Sequence, residues 1–288
     1  MKKTVLCVPL LITLGVAAAT ADELTSQPAF VFTGPPNYLQ WSGFYFGLNG
    51  GYGWSNSSVS YTPNDPAAAA GTIGGVGRGQ SIPSTDFRMD GGLFGGQAGF
   101  NYQVTSLWLV GLEGDYQWSN FKGTAYSSFT LGSVGATTMA VNETVKSFGT
   151  LRARIGAMPV GGPLLLYGTA GLAVGQVSDN FTVGNPLVTG TGSVSSGGFS
   201  YLCVAGGPPC FAGSSSKTTW GWVGGAGAEY ALTTNVTFKA ELLYMNLGVP
   251  TGTAVAQNVL PGTAPASFTP GLSSVSVVFM RGGVNLRF

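Results

Sequence analysis

From Trp41 onward the chain alternates. In WSGFYFGLNGGYGW (41–54), Phe44, Phe46, Leu48, Gly50, Tyr52 and Trp54 share one parity, and Tyr45, Gly47, Asn49, Gly51 and Gly53 share the other. A period of two predicts a β-strand with unlike faces, one apolar with aromatics at both ends and one small and polar. In a soluble sandwich the apolar face would be the core. In a membrane barrel it would face lipid, with the polar side inward.

Eight such segments recur, near 42–54, 89–102, 107–118, 145–157, 164–177, 218–230, 236–247 and 275–288. In the third, Trp108, Val110, Leu112, Tyr116 and Trp118 oppose Glu113, Asp115 and Gln117. In the fourth, Leu151, Ala153 and Ile155 oppose Arg152 and Arg154. The sixth sets Trp220, Trp222, Ala226 and Tyr230 against Glu229, and the seventh sets Phe238, Ala240, Leu242 and Tyr244 against Lys239 and Glu241. The last sets Val278, Met280, Val284, Leu286 and Phe288 against Arg281, Asn285 and Arg287. The fifth is apolar on both parities, so its faces stay unassigned.

The connections decide between sandwich and barrel. Three are about four residues long (Gln103–Ser106, Pro159–Gly162, Leu232–Asn235), and they strictly alternate with Ser/Thr/Gly/Ala/Pro-rich stretches of about 25 to 40 residues. A compact soluble domain rarely carries structureless loops that long. An even-stranded outer-membrane barrel has short periplasmic turns and long external loops. The expected fold is therefore all-β: an eight-stranded antiparallel transmembrane β-barrel over 41–288. Nine strand charges (Glu113, Asp115, Arg152, Arg154, Glu229, Lys239, Glu241, Arg281, Arg287) lie on the face opposite the aromatics. They would fill the lumen as an ion-pair network, because a charge on the lipid face costs roughly 2–4 kcal/mol at mid-bilayer and unpaired charges in a closed interior are costly.

Composition agrees. Only 8% of the residues are charged, against about 25% in soluble domains. Mean hydropathy is +0.27, yet no run long enough for a membrane helix follows the N-terminus. MKKTVLCVPLLITLGVAAATADE has a short basic region (Lys2, Lys3), an apolar stretch and an Ala19-Thr20-Ala21 site, which predict a signal peptide over 1–21. Residues 22–40, with three prolines and no pattern, read as a flexible leader. Once Lys2 and Lys3 are removed, ten basic residues face eleven acidic ones. That balance gives no argument for nucleic acid or for anionic lipid as a partner. In an exported chain, Cys203 and Cys210 most simply form one disulfide. Two thiolates without histidine cannot complete a structural zinc site.

The stretches WSGFYFGLNGGYGW, GLEGDYQW, FGTLRARIGA, LYGTAGLAVGQV, GWVGGAGAEYAL, TFKAELLYMNLG and GGVNLRF resemble the small outer-membrane β-barrel proteins of alphaproteobacteria, the opacity-protein and surface-antigen group. The resemblance implies an eight-stranded barrel in the outer membrane of a Gram-negative bacterium. It also implies that the terminal aromatic, Phe288, is an assembly signal read by the barrel-assembly machinery. It leaves function open, because members are variously regarded as envelope-structural proteins, small porins, adhesins or haem binders.

The sequence holds no histidine. That removes the commonest general base and the Ser-His arrangement, so no catalytic residue and no cofactor are expected. The stretch GTIGGVGRG (71–79) resembles a phosphate loop but lacks the GK[ST] ending, and it reads as loop. The external stretches hold few charges (Asp65, Arg78, Asp86, Lys122, Glu143, Asp179, Lys217) and read as solvated loops, a passive cap or a site for an unidentified surface ligand. The expected role is envelope structure and surface exposure with outer-membrane lipid as partner. The alternatives are a small porin or a loop-borne adhesin.

Overall fold

The computed structural model describes residues 40–71, 84–131, 135–159, 162–249 and 251–288. The signal segment, the leader up to residue 39 and most of GTIGGVGRG lie outside the described residues. Chain order runs β1 (Gly43–Pro63), the helix α1 (Pro66–Gly71), β2 (Thr85–Gln103), β3 (Trp108–Leu131), β4 (Gly135–Ala157), β5 (Leu164–Val188), β6 (Gly192–Ser196), β7 (Phe199–Cys203), β8 (Phe211–Ala231), β9 (Val236–Leu247), β10 (Ala254–Ala256), β11 (Ala264–Pro265), β12 (Ser267–Leu272) and β13 (Val275–Arg287). Eight of these close into a ring of antiparallel neighbours, β1-β2-β3-β4-β5-β8-β9-β13 and back to β1.

The stagger of the ring follows from the register. Trp54 faces Val278, which faces Tyr244, then Gly224, Ala170, Ala153, Leu112, Phe100 and finally Phe44. One circuit thus returns to β1 ten residues lower, a shear of ten. With about 3.3 Å per residue and about 4.8 Å between strands, eight strands so staggered tilt by roughly 40° around a backbone radius of about 8 Å.

Two belts of exposed aromatics ring the outside. Near the short turns stand Phe44, Phe46, Phe100, Tyr102, Trp108, Tyr230, Phe238 and Phe288. At the other end stand Tyr52, Trp54, Tyr116, Trp118, Trp220, Trp222 and Tyr244. The stretch from Phe44 to Trp54, tilted as above, rises about 25 Å, the height of the apolar band of an outer-membrane barrel. The fifth segment resolves here too: Leu165, Tyr167, Ala173 and Val177 point inward, and Leu166 and Leu172 face out.

The strands do not stop at the outer belt. β3 and β4 remain paired out to Leu131↔Gly135, and β5 with β8 to Val183↔Phe211. Polarity inverts there. On β3, Phe121, Ala125 and Phe129 are inside, while Lys122, Thr124, Tyr126 and Ser128 are outside. The reason is the solvent: above the belt the wall meets water, so apolar groups gain by turning inward. This corrects the expected solvated loops. Asp86, Lys122, Glu143, Asp179 and Lys217 all lie on strands.

A small second sheet caps this extension. β6 and β7 form a hairpin, and β11 pairs with β7 in parallel. Tyr61, Phe129, Phe181, Tyr201, Phe211 and Phe268 meet in one apolar cluster with Ala67 and Ala68 of α1. Asp65 caps α1 by accepting from the Ala68 amide at 2.8 Å, while its other oxygen accepts from the Ser267 amide at 2.6 Å. Cys203 and Cys210 are bonded inside that cluster and join the end of β7 to the start of β8. The external segments are therefore a packed cap rather than solvated loops.

Candidate functional site: the layered lumen

Inward parity brings the charged residues to one level. Register sets the first contacts, because Glu113 stands opposite Arg152, and Arg281 opposite Glu241. Glu113 is the hub. It accepts from Arg152, from Lys239 at 2.9 Å, from Arg154 and Arg281 at 3.4 Å each, and from the Tyr45 hydroxyl at 2.6 Å. Asp115 accepts from Arg152 at 2.9 Å, Arg281 at 3.0 Å and Thr150 at 2.8 Å. Glu241 takes Arg281 at 2.6 Å, Lys239 at 3.2 Å, Arg152 at 3.3 Å and the Tyr167 hydroxyl at 2.9 Å. Glu229 takes Arg154 at 2.8 Å, Asn285 at 2.9 Å and the Thr237 hydroxyl. The Arg154 guanidinium lies 4.1 Å from the centre of the Tyr167 ring.

Eight of the nine expected residues thus form one mesh, four acids against four bases, each at most 8% exposed. Arg287 does not join it. Its guanidinium stacks 4.7 Å from the Trp41 ring and donates to the Gln40 carbonyl, because its place near the end of β13 puts it at the periplasmic rim. Of the neutral members, Asn285 stood on the polar parity of the last segment, whereas Tyr45, Thr150, Tyr167 and Thr237 went unrecognised in the sequence. Tyr45 had a signal: it is the one large residue on the small, polar parity of its strand.

Apolar layers seal the mesh from both ends. On the periplasmic side stand Trp41, Leu109, Met158, Leu165, Tyr167 and Ala231. On the external side Phe148 lies 5.5 Å from Phe279 and 6.2 Å from Phe121, with Leu93, Leu243 and Met245 around them. The inward glycines of β1 leave no free space. A Cβ at Gly53 would lie 2.9 Å from both Phe121 and Phe279, and one at Gly51 would lie 2.8 Å from the Arg281 Cβ.

A further polar layer lies above the outer belt, beyond the membrane. Glu143 and Asp179 face each other across β4 and β5, essentially unexposed. Ser57 donates to one Glu143 oxygen at 3.0 Å, and the second Glu143 oxygen and one Asp179 oxygen have no hydrogen-bond partner. Burial pushes both carboxyls up to about 7, and the neighbouring Asp179 adds to the rise of Glu143. The cross-strand pair resists ionising twice.

The family model described as an outer membrane protein beta-barrel domain matches residues 9–264. A 31 kDa outer-membrane immunogenic protein of Brucella melitensis is 31% identical over 249 residues, covering 85% of this chain and 88% of the relative. A 25 kDa outer-membrane immunogenic protein of Brucella abortus is 27% identical over 254 residues, covering 86% and 85%. Among solved structures, the outer membrane protein OprG from Pseudomonas aeruginosa aligns at 14% identity with a TM-score of 0.43, covering 87% of this chain and 99% of that one.

Proposed function

Because the chain belongs to the outer membrane protein β-barrel domain family, we propose that it serves as a closed, surface-exposed wall element of the outer membrane, without catalysis and without steady solute flow. One observation carries this reading: the ion-pair mesh around Glu113 lies between two apolar side-chain layers inside a ring of eight strands. An interior of this width is just filled by side chains, and mutual pairing of balanced charges differs from a single-sign ion filter. Relatives named as outer-membrane immunogenic proteins favour surface display of the cap.

Planar-bilayer recording tests the reading against the porin alternative. The unmodified protein is expected to be silent or to open rarely and narrowly. Changing Arg152 and Arg154 to alanine should raise the frequency of openings. Steady, large, solute-permeable channels from the unmodified protein would overturn the wall reading and install the porin.

Assembly enters the same proposal through Phe288. Its amide donates to the Phe44 carbonyl at 3.0 Å, its ring lies 5.8 Å from Phe46, and its side chain is left on the surface at the periplasmic belt. An aromatic that stays accessible at the closing seam suits recognition by the assembly machinery. Deleting Phe288 is expected to lower several-fold the amount of heat-modifiable protein in outer-membrane fractions. Unchanged levels would remove that role.

A further inference from the structure

Just beyond the outer aromatic belt, the outward positions of most strands are neutral: Asn56 and Ser58 on β1, Gln176 and Ser178 on β5, Ser216 and Thr218 on β8. Three adjacent strands differ. Arg88 on β2, Lys122 on β3 and Lys146 on β4 are all exposed there, and among the described residues none of them makes an ion pair. Lys122 stands opposite Thr144, and Lys146 lies two residues nearer the membrane on the same strand. The register shifts on either side of Lys146, between Trp118 and Phe121 on β3 and between Val145 and Ser147 on β4, so this lysine stands at a bulge beside the Lys122↔Thr144 pair. The long flexible stems of the two lysines let both ammonium groups turn toward one phosphate.

Two carboxylates share the patch. Asp86 and Asp90 flank Arg88 along β2, and Asp90 faces Lys122 and accepts from the Tyr52 hydroxyl. The excess positive charge therefore lies toward β4. On the other side of Arg88 the wall is notched. The β1–β13 ladder ends at Ser55↔Val277, and β1 resumes pairing only with β12 at Val59↔Leu272. The notch is a polar cavity of about 680 Å³ lined by Asn56, Ser58, Asp86, Arg88, Ser274 and Ser276 among others.

Hydroxyls and an amide beside a guanidinium match the hydrogen-bonding groups of a sugar carrying phosphate. Fixed cations at this height stand in the plane of the lipid headgroups. We propose that the outward face of β1–β4 binds the phosphorylated saccharide headgroup of an outer-leaflet glycolipid, with the notch beside Arg88 holding sugar and Lys122 and Lys146 holding phosphate. The cation cluster ties this face of the barrel to particular lipids, which the aromatic belts alone cannot do, since they read only depth.

The test uses the full mature chain, refolded in zwitterionic detergent and titrated with a bisphosphorylated disaccharide lipid. The same lipid after dephosphorylation, and inorganic phosphate as competitor, form the other arms. A variant with Arg88→Gln, Lys122→Gln and Lys146→Gln is expected to bind at least about tenfold more weakly, a modest loss for three cations at a membrane surface. Lys217→Gln, at an exposed lysine elsewhere on the wall that donates to Thr251, should bind like the parent. The dephosphorylated lipid should bind as weakly as the triple variant does, and inorganic phosphate at equal concentration should not compete. Heat-modifiable migration confirms folding, and the single Lys122→Gln and Lys146→Gln variants serve if the triple variant fails that check. Equal affinity of parent and variants, tight binding of the dephosphorylated lipid, or an equal loss in Lys217→Gln would overturn the proposal. Displacement by free phosphate would reduce the patch to a general anion surface and overturn it equally.

Discussion

Glu113→Ala is expected to destabilise the folded barrel by about 3–5 kcal/mol, the cost of breaking a buried ion pair by removing one partner. The carboxylate faces Arg152, Arg154, Lys239 and Arg281 together, and it also receives the Tyr45 hydroxyl. Removing it leaves three acids facing four cations, all of them buried. The nearest contrast is Arg287→Ala. That guanidinium stands at the rim on Trp41 and outside the mesh, so its loss is expected to cost no more than about 1 kcal/mol. Urea unfolding of protein refolded into lipid vesicles, followed by the gel shift between folded and unfolded forms, measures both. A Glu113→Ala midpoint indistinguishable from that of Arg287→Ala would sink the idea of a hub.

The second large effect is on pH dependence. Glu143 and Asp179 sit near 7 in the folded protein and have ordinary values of 4.5 and 3.8. Between those limits the folded state holds protons that the unfolded state has released. Stability is therefore greatest below the ordinary carboxylate range, declines as pH rises toward 7, and levels off above it. The pair is expected to make the parent more stable at pH 5 than at pH 8 by on the order of 3 kcal/mol, allowing for one proton shared between the two groups. Other carboxylates titrate too, so the informative quantity is the difference from a Glu143→Gln, Asp179→Asn double variant. In that variant the decline should be largely gone. Identical pH profiles for parent and variant would refute the assignment.

The same two residues show what a sequence reading reaches and where it stops. Between the belts, lipid outside and charges inside impose an alternation that Glu113, Asp115, Arg152, Arg154, Lys239 and Glu241 make plain, and their inward placement could be read from parity alone. Above the outer belt the exterior is water, and the outward residues become Ser, Thr and Asn, which resemble loop. The inward row was still readable in principle. Glu143 lies between Val141 and Val145, and Asp179 between Val177 and Phe181, so each acid interrupts an apolar series of period two. What parity could not convey was which strand faces which across the lumen. Arg154 reaching Glu229, and Ser57 reaching Glu143, follow from closure and stagger rather than from spacing along the chain. Arg287 shared its neighbours' parity but not their height, and height depends on where each strand begins relative to the rim.

The shear of ten has a mechanical consequence. In a closed ring whose residues alternate between lumen and exterior, total stagger can change only by even steps, because an odd slip would turn one strand's lipid-facing row inward. The next state up, a shear of twelve, would widen the backbone radius by only about 1 Å, and a whole seam of hydrogen bonds would have to be broken and remade to reach it. The wall therefore behaves as a hoop of fixed gauge and has no gradual dilation. Any passage through this protein must come from movement of side chains such as Phe148, Phe279 and Arg152 within the hoop.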